Sequence, residues 1–332
     1  MAARRRGKKK SGRSYAWRYR GRIVACVFVE VIIICALVIM IGWNKGVKEW
    51  FEQFEQPVLK EVDISGINSP NAILMQARGG KILGEINGEA QIYPASMTKI
   101  MTVILGIENF DDLDEKITLT NEMFTGLYEQ DATQAGFQPG EEVRVIDLLY
   151  GAMLPSGAEC CIALADTISG SEADFAELMN KKARKLGMEN THFCDSTGLH
   201  NPDHYSTVKD IAVLMKYCIK NDTFREIVET SRHSTGVTNI HPDGITYYST
   251  MFKNLSAPTV TGGKILGGKT GYTSEAGHCL VSFAEIEGRE YIFVSAGASG
   301  ADGNTIPHIQ DAVTVYNRVG AAIEEKMNDN NK

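Results

Sequence analysis

Residues 23–43, IVACVFVEVIIICALVIMIGW, carry a single ionisable group, Glu30, in 21 positions. A helix of that length rises about 1.5 Å per residue and spans roughly 31 Å, close to the ~30 Å hydrocarbon core of a bilayer. The segment reads as a transmembrane helix, and it divides the chain into parts that must fold in different solvents. Ten Lys and Arg residues and no acid occupy residues 1–22, and Trp17 and Trp43 flank the apolar run. Such a basic cluster keeps the N-terminus in the cytoplasm and places everything after Trp43 outside. The run is long for a signal peptide and no small-residue cleavage site follows it, so the anchor is expected to stay attached as a single pass.

The remaining 24 basic residues face 41 acidic ones, so residues 23–332 carry a formal charge of −17. A surface of that sign repels nucleic acid, and none is expected as a partner. Residues 44–61, with aromatics at 50, 51 and 54, read as a juxtamembrane stalk. The folded domain is expected over residues 62–318, with a polar tail at 319–332. Cys26 and Cys35 lie in the apolar run; Cys160, Cys161, Cys194, Cys218 and Cys279 follow it. Five is odd, and the spacings match neither a disulfide framework nor a zinc ribbon.

Within the domain, AILMQA and GKILGEI, joined by RGG at 78–80, form a hairpin signal. From about 115 to 230 the pattern becomes helical. Ser171 with Asp174 makes a capping box, Phe175, Leu178, Met179, Ala183 and Leu186 share a stripe, and Gly187 stops it. Thr207 with Asp210 opens another helix, ending near Asn221. After 240 the strand pattern returns in GGKILGGKTGY, then in HCLVSFAEIEG and REYIFVSAGA as a second hairpin turning at Gly288, before a last helix at IQDAVTVYNRV. Strands at both ends with helices between predict an α+β domain. Its antiparallel sheet is flanked by helices, carries an inserted all-helical subdomain, and is built from distant parts of the chain.

Ser96 precedes Lys99 by three residues in PASMTK. On a helix these positions share a face, so the amine can reach the hydroxyl. Alone, the pair is more often a capping serine and a surface lysine. Two further pieces alter that weighting: Ser156 in PSGAE, and Lys269-Thr270-Gly271 on a glycine-rich strand. Their order resembles that of penicillin-binding proteins and serine β-lactamases. The flanking text IYPASMTKIMT, LLYGAMLPSGAE, NTHFCDSTGLHNPDHYST and GGKTGYTSEAGH is similar to the serine-type D-alanyl-D-alanine carboxypeptidase branch over roughly residues 65–300.

That resemblance implies a bacterial, membrane-anchored enzyme that removes the terminal D-alanine from peptidoglycan stem peptides ending in D-Ala-D-Ala. It implies no cofactor, no metal, and β-lactam antibiotics as inhibitors. It assigns Ser96 as nucleophile, Lys99 as base, Ser156 as proton relay, and Lys269 with Thr270 as a carboxylate clamp. Gly271 would let the substrate lie close, and the N–H groups of Ser96 and Tyr272 would form the oxyanion hole. A lysine base must be neutral, which burial and a second cation achieve by lowering its pKa; Lys269 is the candidate cation.

The chain departs from the family at Ala158, where Asn is usual. A methyl group offers the lysine no acceptor, so compensation is expected from water or backbone; Glu159 would project about 100° away on a helix. The departure supports a second reading, a catalytically weak penicillin-binding module acting as a cell-wall sensor or scaffold. His200 and His204 are spaced i, i+4 as in some zinc sites, but Pro202 between them opposes a helix presenting both rings, and they read as structural loop residues.

Overall fold

The computed structural model describes residues 59–255, 257–300 and 306–330. The basic tail, the apolar segment 23–43 and nearly all of the stalk lie outside the described residues, and among those described no helix is long and apolar enough to cross a membrane. The strands are β1 (Asn71–Gln76), β2 (Ile82–Ile86), β3 (Lys116–Thr118), β4 (Glu142–Arg144), β5 (Arg232–Ser234), β6 (Thr246–Tyr248), β7 (Thr259–Val260), β8 (Gly263–Thr273), β9 (Gly277–Ile286) and β10 (Arg289–Ala298). The helices are α1 (Lys99–Asn109), α2 (Val145–Met153), α3 (Ala158–Ser169), α4 (Glu172–Leu186), α5 (Val208–Cys218), α6 (Asp222–Glu229), α7 (Thr250–Asn254) and α8 (Pro307–Asn330).

Six strands form one antiparallel sheet in the order β2-β1-β10-β9-β8-β7. Both of its faces are covered, which is why its central strands are nearly continuous apolar runs rather than alternating ones. In β1, Ile73 and Met75 enter the core shared with α1–α6, while Ala72 and Leu74 enter the opposite core. β10 divides in the same way, Ile292 and Val294 to one side and Tyr291 and Phe293 to the other. The second core is closed by α8, which buries Ile309, Ala312, Tyr316, Val319 and Ile323 at three- and four-residue steps along one stripe. Asp311 on that helix is buried and accepts hydrogen bonds from the backbone N–H groups of Asn68 and Ser69 at 2.8 and 2.9 Å, pinning the chain entering β1.

The structure bears out the α+β architecture and the two hairpins. Ser171 and Thr207 both act as N-caps, accepting from the N–H groups of Asp174 and Asp210. Three expectations need correction. The inserted region is not all-helical: β3 pairs with β4 inside it, and strands of three residues are too short to show a period in sequence. Residues 319–330 are not a polar tail but the second half of α8, because Val319 and Ile323 continue its buried stripe past the charged residues on its outer face. Finally, Ser96 and Lys99 do not share one α-helix: Ser96 lies in a 3₁₀ turn, Ala95–Thr98, that runs into α1 at Lys99.

Candidate active site

The 3₁₀ turn favours the pairing, because side chains three apart eclipse in that geometry. Lys99 Nζ donates to Ser96 Oγ at 2.9 Å and to the carbonyl of Thr197 at 2.7 Å. The lysine is 3 % exposed, and burial lowers its pKa, against the opposing influence of Cys161, Asp195 and Glu159. The acceptor that the methyl of Ala158 cannot supply is thus a backbone carbonyl, from a segment about a hundred residues away.

That carbonyl is held by a buried network. Asp195 Oδ1 accepts from the N–H groups of Thr197 and Gly198 at 2.7 and 2.6 Å and from the Thr197 hydroxyl at 2.7 Å. Asp195 Oδ2 lies 3.1 Å from His204 Nδ1, and His204 Nε2 lies 2.8 Å from Thr98 Oγ1, beside Lys99. Burial alone would raise the Asp195 pKa, but the hydrogen bond and charge of His204 and the bonds from Thr197 hold it at about 2. His204 is therefore a structural histidine that ties this loop to the turn holding Ser96. His200 turns elsewhere and packs its ring edge-on to Tyr93. Among the described residues no cluster of three or more His, Cys, Asp or Glu is placed to hold a metal, and the five described cysteines are free.

Ser156 follows Pro155 at the turn into α3 with φ +75°, an uncommon value for a residue with a Cβ. The turn is tight: a Cβ on Gly157 would lie 2.7 Å from the Ala135 Cβ and 2.9 Å from its nitrogen, so only glycine fits. Glu159, the second residue of α3 and fully buried, spends its carboxylate on the backbone rather than on the lysine. Its Oε1 accepts from the N–H groups of Ala135 and Gly136 at 2.6 and 2.9 Å, and the Ala158 N–H donates to the Thr133 carbonyl at 2.8 Å. Residues 133–136 are thereby fastened against the Ser156 turn. Burial raises the Glu159 pKa, against those backbone bonds.

Lys269, Thr270 and Gly271 reach the same place on β8. Lys269 is 1 % exposed; burial, and then the charge of Lys99, depress its pKa, so the two ammonium groups oppose each other. Its Nζ donates to the Thr270 carbonyl at 2.9 Å. Thr270 Oγ1 meets Thr250 Oγ1 at 2.7 Å, a partner supplied by α7. A Cβ on Gly271 would stand 3.0 Å from the Ser96 nitrogen and 3.2 Å from the Pro94 carbonyl, so this glycine is what lets the strand pass against the Ser96 turn. β7 pairs with β8 only at Gly263 and Lys264, which leaves the β8 edge beside Lys269 and Thr270 without a strand.

Ser96, Ser156, Thr250, Thr270, Gly271 and Tyr272 line one cleft of about 610 Å³. Of the seven residues singled out from the sequence, Ser96, Ser156, Thr270, Gly271 and Tyr272 line this cleft, while Lys99 and Lys269 are buried behind it, bonded to Ser96 and to the Thr270 carbonyl. Sequence reasoning missed Thr250, the Thr197 carbonyl and the Asp195–His204 pair. Asp195 and Thr197 do stand inside the quoted stretch NTHFCDSTGLH, the only sign they give. It missed also an aromatic row on the rim, where Tyr272, His278 and His308 follow one another with ring centroids 4.7 and 5.0 Å apart. His308 is 4 % exposed, and burial first, then His278, push its pKa down to about 4.

Residues 58–300 match the model of a peptidase family described as D-alanyl-D-alanine carboxypeptidase. Over 233 residues the chain is 34% identical to the D-alanyl-D-alanine carboxypeptidase DacF of Bacillus subtilis, covering 69% of this chain and 57% of that one. It is 35% identical over 236 residues to a D-alanyl-D-alanine carboxypeptidase of Streptomyces sp. strain K15, covering 69% and 78%. The crystal structure of the Streptomyces K15 DD-transpeptidase superposes with a TM-score of 0.69 at 29% identity, covering 79% of this chain and all of that one. The chain spans 57 to 60% of the length of DacF and of the two Escherichia coli relatives DacC and DacD. With its serine, lysine and glycine-rich strand gathered on a penicillin-binding-protein fold, the chain belongs to the D-alanyl-D-alanine carboxypeptidase family.

Proposed function

We propose that the chain is a penicillin-sensitive, membrane-anchored carboxypeptidase that removes the terminal D-alanine of peptidoglycan stem peptides through an acyl-enzyme on Ser96. The observation that carries this reading is the 2.9 Å contact between a buried lysine amine and the Ser96 hydroxyl at the wall of an open cleft. Lys99, neutral, takes the hydroxyl proton as Ser96 Oγ attacks the penultimate D-Ala carbonyl carbon. The oxyanion that forms is held by the N–H groups of Ser96 and Tyr272, which needs the close strand approach that Gly271 permits. The C–N bond breaks, Ser156 relays the proton to the leaving amine, and D-alanine departs. A water molecule, deprotonated by Lys99, then opens the ester and restores Ser96. The leaving residue's carboxylate sits at the hydroxyls of Thr270 and Thr250 above Lys269, whose ammonium it pairs with.

The second reading, a weak penicillin-binding sensor or scaffold, rests on Ala158. Hydrolysis of diacetyl-Lys-D-Ala-D-Ala separates the two. Because the Thr197 carbonyl already holds Lys99, steady turnover is expected from the wild type. An Ala158→Asn variant should change the rate by no more than the tenfold or so that one hydrogen bond accounts for. Stoichiometric penicillin binding without turnover would favour the sensor.

The anchoring is inferred from the charge asymmetry around residues 23–43. External protease added to intact cells, or to spheroplasts where an outer membrane is present, is expected to remove the domain while leaving residues 1–22 protected. A domain that survives treatment digesting a known external protein would reverse the topology.

A further inference from the structure

Next to the cleft lies a second pocket of about 410 Å³, whose walls include Asp131, His200, Tyr272, Thr273, Ser274 and Glu275. It shares Asp131 and Tyr272 with the cleft, so the two adjoin. Its place along β8 determines what can enter it. The strand runs from the clamp at Lys269–Thr270, past Gly271 beside Ser96, to Tyr272 and Thr273, and then into Ser274 and Glu275. A peptide added antiparallel to the free edge of β8, with its C-terminal carboxylate at Thr270 and its scissile carbonyl at Ser96, must lead its N-terminal side past Tyr272. Neighbouring strand residues are about 3.3 Å apart, so the residue before the D-Ala-D-Ala pair arrives beside Thr273 and Glu275.

The chemistry of the walls then specifies the side chain. Two carboxylates, Asp131 and Glu275, face the pocket, and no lysine or arginine lines it. The hydrogen bond of Ser274 keeps the Glu275 pKa below its ordinary value, so the group is ionised at neutral pH. His200 Nδ1 stands 3.9 Å from Glu275 Oε2, close enough to orient the carboxylate from one side. The Tyr272 ring, 61% exposed, offers an apolar surface between cleft and pocket, suited to the methylene stem of a long side chain and to a cation at its end.

We propose that this pocket receives the side chain of the residue immediately preceding D-Ala-D-Ala and selects one that ends in a free amine. The enzyme therefore prefers stem peptides whose diamino residue is unsubstituted over those in which that amine is acylated, as it is after cross-linking. This deepens the carboxypeptidase reading and rests on it. The test uses the full chain and three peptides of the form acetyl-X-D-Ala-D-Ala, where X is lysine, Nε-acetyl-lysine or norleucine. Ion pairs at this exposure are weak, so kcat/KM for the free amine is expected to exceed the other two by about three- to tenfold, and the margin should shrink as salt is raised. Glu275→Gln should remove most of the preference while leaving the norleucine peptide unchanged, and Asp131→Asn should reduce the ratio further. Equal kcat/KM for the three peptides, or a preference that survives both variants, overturns the inference and leaves the carboxypeptidase reading standing. Hydrolysis of none of them removes both.

Discussion

Intact-mass measurement after exposure to benzylpenicillin is expected to show one covalent adduct on the wild-type chain and none on Ser96→Ala. A β-lactam presents a strained amide and a carboxylate with the spacing of D-Ala-D-Ala, so the nucleophile and clamp that take the peptide take the drug. The variant should fold, since Ser96 sits at the cleft wall and its hydroxyl is held by the lysine alone among the described contacts. Its peptide turnover should fall to background, because among the described residues Ser96 carries the hydroxyl that Lys99 is hydrogen-bonded to. Ser156 lines the same cleft, so peptide mapping of the adduct distinguishes the two serines. An undiminished adduct in Ser96→Ala would transfer the nucleophile's role to another residue.

The second large effect concerns Lys99. If its amine is the base, only the neutral form works, and burial has already lowered its pKa from the ordinary lysine value. The sign follows directly. Acylation is at its plateau above the depressed pKa, where the amine is unprotonated, and is lost as pH falls through it. The acid limb of the penicillin acylation profile should therefore have its midpoint below the ~10.4 of a free lysine. Lys99→Met keeps the length of the side chain without the amine and should lower the acylation rate by about 10²- to 10⁴-fold, the usual contribution of a positioned base. Full-rate acylation by that variant would exclude Lys99 as the base. The Thr197 carbonyl favours the charged amine and works against burial, so displacing it, for example through Asp195, acts on the same limb.

The candidate site residues were readable because the chemistry proposed for them demands particular side chains at particular spacings. Ser96, Ser156 and Lys269 lie 113 residues apart at the widest neighbouring interval, yet each is embedded in a local motif. Their supports were not readable for the same reason. The Thr197 contact is made by a carbonyl, which every residue possesses, and Thr250 reaches Thr270 only because α7 returns beneath β8. Asp195 and His204 are nine residues apart in an irregular loop, where no period marks which of two histidines turns inward. In the fold, long amphipathic helices and the two hairpins showed clear patterns. The end of α8 did not, because the charged residues of its outer face outnumber the two buried residues, Val319 and Ile323, that extend it. The 3₁₀ turn at Ala95–Thr98 escaped because it spans a single turn and its sequence would serve an α-helix equally well.

The pairing of β1 with β10 has a kinetic meaning. Asn71 sits opposite Ala296, 225 residues further along, so the middle of the sheet joins nearly the two ends of the domain. Were the intervening chain slack, closing that loop would cost about 5 kcal/mol of entropy. Helices α2–α6 shorten the effective loop once they form, which favours forming the helical layer before the sheet. A chain made from its N-terminus holds the Ser96 turn long before the strand that carries Lys269, and β1 has no partner on that side until residue 298 has been added. The turn that pairs Ser96 with Lys99 therefore meets Lys269, Thr270 and Gly271 only when that late strand docks, so that a partly made domain carries the serine and its lysine without the strand beside them.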